Sequence, residues 1–282
     1  METLGITAAD GTEVPVYWSP ASHPRATLLL LPALGIQAKL YCRLAQGLAA
    51  RGCATAIMEQ RGHGLSTLKP GYGSHYGFDQ SLQQDIPAVA NWLVERVPGA
   101  RRLIGGHSLG GHLSTLYTGQ HAEEIDGVIH LACAFPYIGD YRGKHKAMLR
   151  LLCSLIPLFA IFPGYYPGQL LGFGDRESIT MMKQWRQWAV TGNFDFDQHR
   201  GLAKAVAAYT GPVLSLSFER DDFSTTAAVE RALSAFSCAR VERVLLGATE
   251  QGNYLGHARW AQQPDGAVAA IDTWLNDCPM QA

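Results

Sequence analysis

One pattern confines this chain to few folds: short, almost wholly apolar runs alternate with segments of helical period. Ala26 to Leu31, Ala54 to Met58, Arg102 to Ile104 and Val128 to Cys133 read as strands covered on both faces. Between them, Leu40, Leu44, Leu48 and Ala49 fall on one helical face, as do Leu82, Ile86, Val89, Trp92 and Leu93. Parallel neighbours need a crossover, so strands alternating with helices imply a mostly parallel, doubly wound sheet with helices on both sides. The class is α/β. At the front, Glu2 to Thr7 and Glu13 to Trp18 flank Asp10-Gly11, a hairpin turn, so an antiparallel pair opens the chain.

The alternation stops at about Tyr137. It resumes with Pro212 to Phe218, Val241 to Leu246 and a last helix containing Val268, Ile271 and Leu275. At about 150 residues per domain, 282 residues suggest two domains. The gap instead reads as an insertion, giving a core of residues 1–137 and 209–282 with a helical cap over 138–208. Only 17% of the residues are charged and 47% are apolar, against about 25% charged in an average protein. That excess fits strands buried on two faces plus an apolar stretch in the cap, Leu151 to Phe162. Pro157 interrupts this stretch, which is shorter than the roughly 18 to 20 residues of a bilayer span, so no transmembrane segment is expected.

A formal net charge of −1, with no Lys and Arg cluster interleaved with aromatics, excludes nucleic acid as an expected partner. The 6 cysteines, Cys42, Cys53, Cys133, Cys153, Cys238 and Cys278, show no C-x-x-C or zinc-like spacing and read as reduced fillers. Met1 to Thr12 has neither the basic start nor the apolar stretch of a signal peptide, so a cytoplasmic location is expected.

Chemistry concentrates at Leu103-Ile104-Gly105-Gly106-His107-Ser108-Leu109-Gly110-Gly111, where an apolar strand runs through G-x-S-x-G into a helix. This is the pattern of a nucleophile elbow, in which glycines at 106 and 110 let strand and helix close on the serine backbone. Ser108 is the candidate nucleophile. Leu109 N–H, at the positive end of the following helix, is the candidate oxyanion donor. By itself the motif also reads as a glycine-rich turn, common in a chain with 30 glycines.

The order serine, acid, histidine discriminates between these readings. Glu219-Arg220-Asp221-Asp222 follows the strand ending at Phe218. Asp221 is the candidate acid, with Asp222 one register away and Glu219 a distant third. His257, in Tyr254-Leu255-Gly256-His257, follows the last strand and is the candidate base, on the side of the sheet where open α/β sheets carry their sites. His107 and His112 flank the nucleophile but are misplaced to be its base, and His63 is a candidate pocket residue. Pro32-Ala33-Leu34-Gly35 follows the first parallel strand, where a second oxyanion donor belongs. Leu34 N–H is the candidate and Gly35 the fallback.

Together, Gly106-His107-Ser108-Leu109-Gly110-Gly111, Arg61-Gly62-His63-Gly64-Leu65-Ser66, Asp221 and Gly256-His257 resemble the α/β-hydrolase superfamily in its serine hydrolase branch. The cap segments Gly164-Tyr165-Tyr166-Pro167-Gly168, Leu171-Gly172-Phe173-Gly174 and Gln184-Trp185-Arg186-Gln187-Trp188 resemble those of bacterial α/β hydrolases of undefined substrate. Relatives commonly carry His-Gly where this chain has Pro32-Ala33, and Asp where it has Glu59. The resemblance implies a Ser-His-Asp triad, an acyl-enzyme intermediate and no cofactor or metal.

The expected activity is cleavage of a carboxylic ester with an apolar acyl or alcohol part. The Leu151 to Phe162 run is apolar on more than one side, so it reads as an acyl-binding wall over Ser108, or else as packing against the core or a homodimer partner. Thioesterase, acyltransferase and peptidase readings share the triad. A peptidase needs a carboxylate for a free amine, and Asp175, Glu177, Asp195 and Asp197 are the candidates. A ligand-binding protein without turnover is the reading from another class.

Overall fold

In the computed structural model, which describes residues 1–196 and 199–277, strands β1 (Glu2–Thr7) and β2 (Glu13–Ser19) pair antiparallel. Asp10-Gly11 makes the turn, with Gly11 at φ 81°, where a side chain would be strained. The chain continues through β3 (Ala26–Leu31), α1 (Cys42–Ala49), β4 (Cys53–Met58), α2 (Phe78–Gln80) and α3 (Ile86–Arg96). Next come β5 (Arg101–His107), α4 (Leu109–Gln120) and β6 (Gly127–Leu131). Helix α5 (Gly143–Ile161), β7 (Tyr166–Pro167), α6 (Gly168–Leu171), β8 (Arg176–Glu177), α7 (Ile179–Thr191) and α8 (Leu202–Ala208) follow. The chain closes with β9 (Pro212–Phe218), α9 (Thr226–Ser234), β10 (Arg240–Leu246), α10 (Ala248–Gln251) and α11 (Asp265–Asp277). Two positions singled out in the sequence, Asp197 and Cys278, lie outside the described residues.

The main sheet has 8 strands in the order β1-β2-β4-β3-β5-β6-β9-β10. All neighbours from β4 onward are parallel, while β2 pairs antiparallel with β1 and β4. Every residue of β3 and β4 is buried. Successive β3 residues serve opposite cores: Leu29 and Leu31 pack with Ile86, Leu113 and Leu116, whereas Leu28 and Leu30 pack with Leu44, Ile271 and Trp274. That double coverage is why these strands lack a polar face.

Two elements differ from expectation. The strand predicted over Val128 to Cys133 ends at Leu131, because Ala132 turns to φ 44° and donates its N–H to Leu216 O at 2.8 Å. The helix predicted through Leu82 to Leu93 is preceded by a wider turn over Ser81–Asp85, and Pro87 falls in the first turn of α3, where its missing N–H costs nothing.

Between β6 and β9, α5 continues through Pro157 although proline removes the N–H that would bond to Cys153 O. Arg186 on α7 replaces it, donating from Nε to that carbonyl at 2.7 Å. Strands β7 and β8 form a separate antiparallel pair. Helix α8 returns to α4, where Gly119 leaves room for Val206: an added Cβ would stand 2.7 Å from Val206 Cγ2. Among the described residues no helix is long and apolar enough to cross a membrane.

Candidate active site

Ser108 stands between β5 and α4 at φ 51°, ψ −112°, a conformation sparsely populated by residues with side chains. The flanking glycines have a steric reason. A Cβ on Gly106 would lie 2.2 Å from the Gly110 carbonyl carbon, and one on Gly110 would lie 2.0 Å from Leu31 O. Strand and helix therefore touch through backbone alone, which leaves the serine side chain to face the cavity it lines. Leu109 begins α4, so helical geometry leaves its N–H without an acceptor within the helix.

The loop after β9 and the loop after β10 meet on the same side. His257 Nδ1 lies 2.9 and 3.0 Å from the two carboxylate oxygens of Asp221. Asp221 is buried, with its side chain 1% exposed against 25% for His257. Burial alone would raise the Asp221 pKa, but hydrogen bonds from His257 and Ser224 hold it below the ordinary carboxylate value. The amides of Phe223 and Ser224 both donate to Asp221 Oδ1, at 2.9 and 3.0 Å. The carboxylate that meets His257 is thus that of Asp221, where the sequence left Asp222 open.

The loop after β3 is clamped from two directions. Gln60 Nε2 donates to Pro32 O at 2.6 Å, and Ala33 N–H donates to Tyr41 Oη at 3.1 Å. Tyr41 Oη is also 2.8 Å from His107 Nδ1. One hydroxyl therefore bridges the Ala33 amide and the His107 ring. Burial pushes the His107 pKa well below the ordinary value, and the neighbouring His257 adds to that shift. With Ala33 N–H occupied, Leu34 provides the next amide of the loop.

Ser108, His257, Leu109 and Leu34 line one cavity of about 180 Å³. Its apolar walls include Ile36, Leu149, Phe173, Trp185 and Phe223. No Asp, Glu, Lys or Arg is among the lining residues. The expected acyl wall from Leu151 to Phe162 is not found: from α5 only Leu149 reaches the cavity, while Leu152, Cys153 and Ile156 pack inward elsewhere and Leu151 and Leu158 face solvent.

His63 is also not in the cavity. Its Nε2 lies 3.1 Å from Glu177 Oε1 with both side chains 3% exposed, so it joins the loop after β4 to β8. Glu59 is buried and accepts the Ala38 N–H at 3.0 Å. Tyr41, Gln60 and Ser224 escaped the sequence reading because each is an isolated polar residue outside any motif. Among the described residues no group of three His, Cys, Asp or Glu is placed to hold a metal ion.

A family model described as serine aminopeptidase, S33, matches residues 22–237. An uncharacterized abhydrolase domain-containing protein of Dictyostelium discoideum is 33% identical over 100 residues, 36% of this chain and 10% of that protein. Monoacylglycerol lipase of Mycolicibacterium smegmatis is 25% identical over 112 residues, 40% of this chain and 39% of that one. The matches thus span well under half of either relative. Among solved structures, DcsB complexed with its substrate analogue superposes with a TM-score of 0.70 at 12% identity, covering 99% of each chain. Est1E of Butyrivibrio proteoclasticus with bound ferulic acid gives 0.66 at 14% identity over 98% of both chains. A thermophilic esterase of Thermogutta terrifontis gives 0.61 at 14% over the same share. At these identities the structures share the fold.

Proposed function

Starting from a chain that belongs to the serine aminopeptidase S33 family of the α/β-hydrolase superfamily, we propose that it hydrolyses uncharged carboxylic esters through Ser108, His257 and Asp221. The observation that carries this reading is the Asp221–His257 pair beside the strained Ser108 turn, in a cavity lined without charge. His257 Nε2 takes the Ser108 proton as Oγ attacks the ester carbonyl carbon. The oxyanion receives hydrogen bonds from the N–H groups of Leu109 and Leu34. Collapse expels the alcohol, which takes the proton from His257 and leaves an acyl group on Ser108. Water then attacks that group, losing a proton to His257, and the acid departs as Ser108 regains its proton. Asp221 holds the imidazole in orientation and stabilises its charged form.

Residues 138–208 act as a lid in this reading, with α5 to α7 over the cavity and α8 running back along α4. Among the described residues, no carboxylate lines the cavity to receive the free amine of a peptide substrate. Glu177 is committed to His63, and Asp195 accepts the Ala203 N–H. This supports an ester over an aminopeptidase substrate. A fluorophosphonate probe and a chain-length series of p-nitrophenyl esters test the proposal. The intact protein should label and turn over esters, Ser108→Ala should do neither, and aminoacyl p-nitroanilides should not be cleaved. Labelling no faster than that of Ser108→Ala would replace the proposal with ligand binding without turnover.

A further inference from the structure

The outward face of α5 has no part in the cavity, and among the described residues its large apolar side chains stay exposed, with Tyr72 reaching only its end, where its hydroxyl donates to Ile161 O at 3.0 Å. Leu151, Leu158 and Ile161 fall on one helical line with Lys144, Ala147 and Ser154. Leu158 is 57% exposed, Ile161 75% and the adjoining Phe162 77%. Ser154 bonds its hydroxyl back to Arg150 O at 2.8 Å, so it adds little polarity to this stripe. The hydrophobic effect disfavours leaving so many large side chains together in water.

Charge indicates the partner. From Tyr141 through Gly174 the sequence contains no Asp or Glu, while Arg142, Lys144, Lys146 and Arg150 cluster at the start of α5. The chain as a whole carries −1, so this concentration is local. Exposed large apolar side chains beside a group of Lys and Arg suit an anionic lipid surface, where the apolar groups enter the headgroup layer and the cations meet the anionic headgroups.

We propose that the outer face of α5, together with Phe162, docks the protein peripherally on an anionic lipid surface. Leu149, on the opposite face of α5, lines the cavity. Docking would therefore set the lid against the phase in which apolar esters dissolve, a consequence that rests on the ester reading above. The binding itself does not depend on turnover.

Co-sedimentation tests it, using vesicles of phosphatidylcholine alone and of phosphatidylcholine with phosphatidylglycerol. Binding to the anionic vesicles should exceed binding to the neutral ones by at least about tenfold and weaken as salt is added. Lys144→Glu and Arg150→Glu should each weaken it by about fivefold or more. Ile161→Glu with Phe162→Glu should abolish it while leaving hydrolysis of soluble p-nitrophenyl acetate unchanged. Ser108→Ala should bind as the intact protein does, and an intact protein that binds vesicles yet turns over no ester would refute the ester reading alone. Equal binding to both vesicles, or binding unaffected by Ile161→Glu with Phe162→Glu, would overturn the proposal. So would a dimer in sedimentation velocity that this double variant dissolves, with no vesicle binding, since the face would then serve self-association.

Discussion

The Tyr41 hydroxyl joins two backbone segments that the candidate chemistry needs held still, Ala33 before the oxyanion donor and His107 before the nucleophile. In Tyr41→Phe the ring stays but a buried N–H and a buried imidazole nitrogen lose their partner, a cost of about 1–3 kcal/mol each. The expected result is a fall in kcat of about tenfold or more with KM nearly unchanged, together with a lower Tm. Steady-state ester kinetics and thermal denaturation check it. Asp221→Asn should lower kcat on the order of 10⁴-fold, because the imidazole loses its orienting carboxylate. Asp222→Asn should leave kcat within about twofold, as a surface substitution does. These single residues differ in legibility. Ser108 and His257 stood out by motif and order, whereas Tyr41 looks like any aromatic beside a helix, because its role depends on a hydroxyl meeting segments distant in sequence.

Two junctions between elements carry most of the site's geometry. The β5–α4 turn closes because Gly110 approaches Leu31 O with no side chain between them. Gly110→Ala would force strand and helix apart, and overpacking of this kind costs about 1–3 kcal/mol or more. The expected outcome is loss of fluorophosphonate labelling before loss of fold, read by labelling and far-ultraviolet circular dichroism on one sample. The second junction is α5 with α7, where Arg186 satisfies the carbonyl that Pro157 strands. Arg186→Met should destabilise the protein by about 1–3 kcal/mol in urea unfolding, since the Cys153 carbonyl would lose its partner. The sequence marked Pro157 as an interruption, and local rules supported that. The helix nevertheless passes through it because a side chain from another helix supplies the missing donor, which no local pattern encodes.

At the scale of the whole molecule, the loop after β4 and the β7–β8 pair are joined by the buried His63–Glu177 contact. Burial pushes the His63 pKa down, but the Glu177 carboxylate outweighs it and the net shift is upward. A histidine raised in the folded state contributes stability that is complete below its unfolded pKa of about 6.5 and is lost as pH rises through the folded value. Buried His112 and His130 act in the opposite sense, with burial lowering them to about 4 and about 3, so their contribution is lost as pH falls below about 6.5. The Tm difference between the intact protein and His63→Gln isolates the first contribution: it should be largest below about pH 6.5 and shrink above it. The sequence by itself determined the α/β class, the strand order along the chain and the candidate serine and histidine. These follow from apolar periodicity and from glycine spacing, which are properties of neighbouring residues. Only the tertiary structure decided that Asp221 rather than Asp222 meets His257, and that His63 joins two segments instead of lining the cavity. It also turned the apolar stretch of α5 mostly away from Ser108. Each depends on how a loop end or helix face is rotated against elements far away in sequence, and that rotation is fixed by packing of the assembled core.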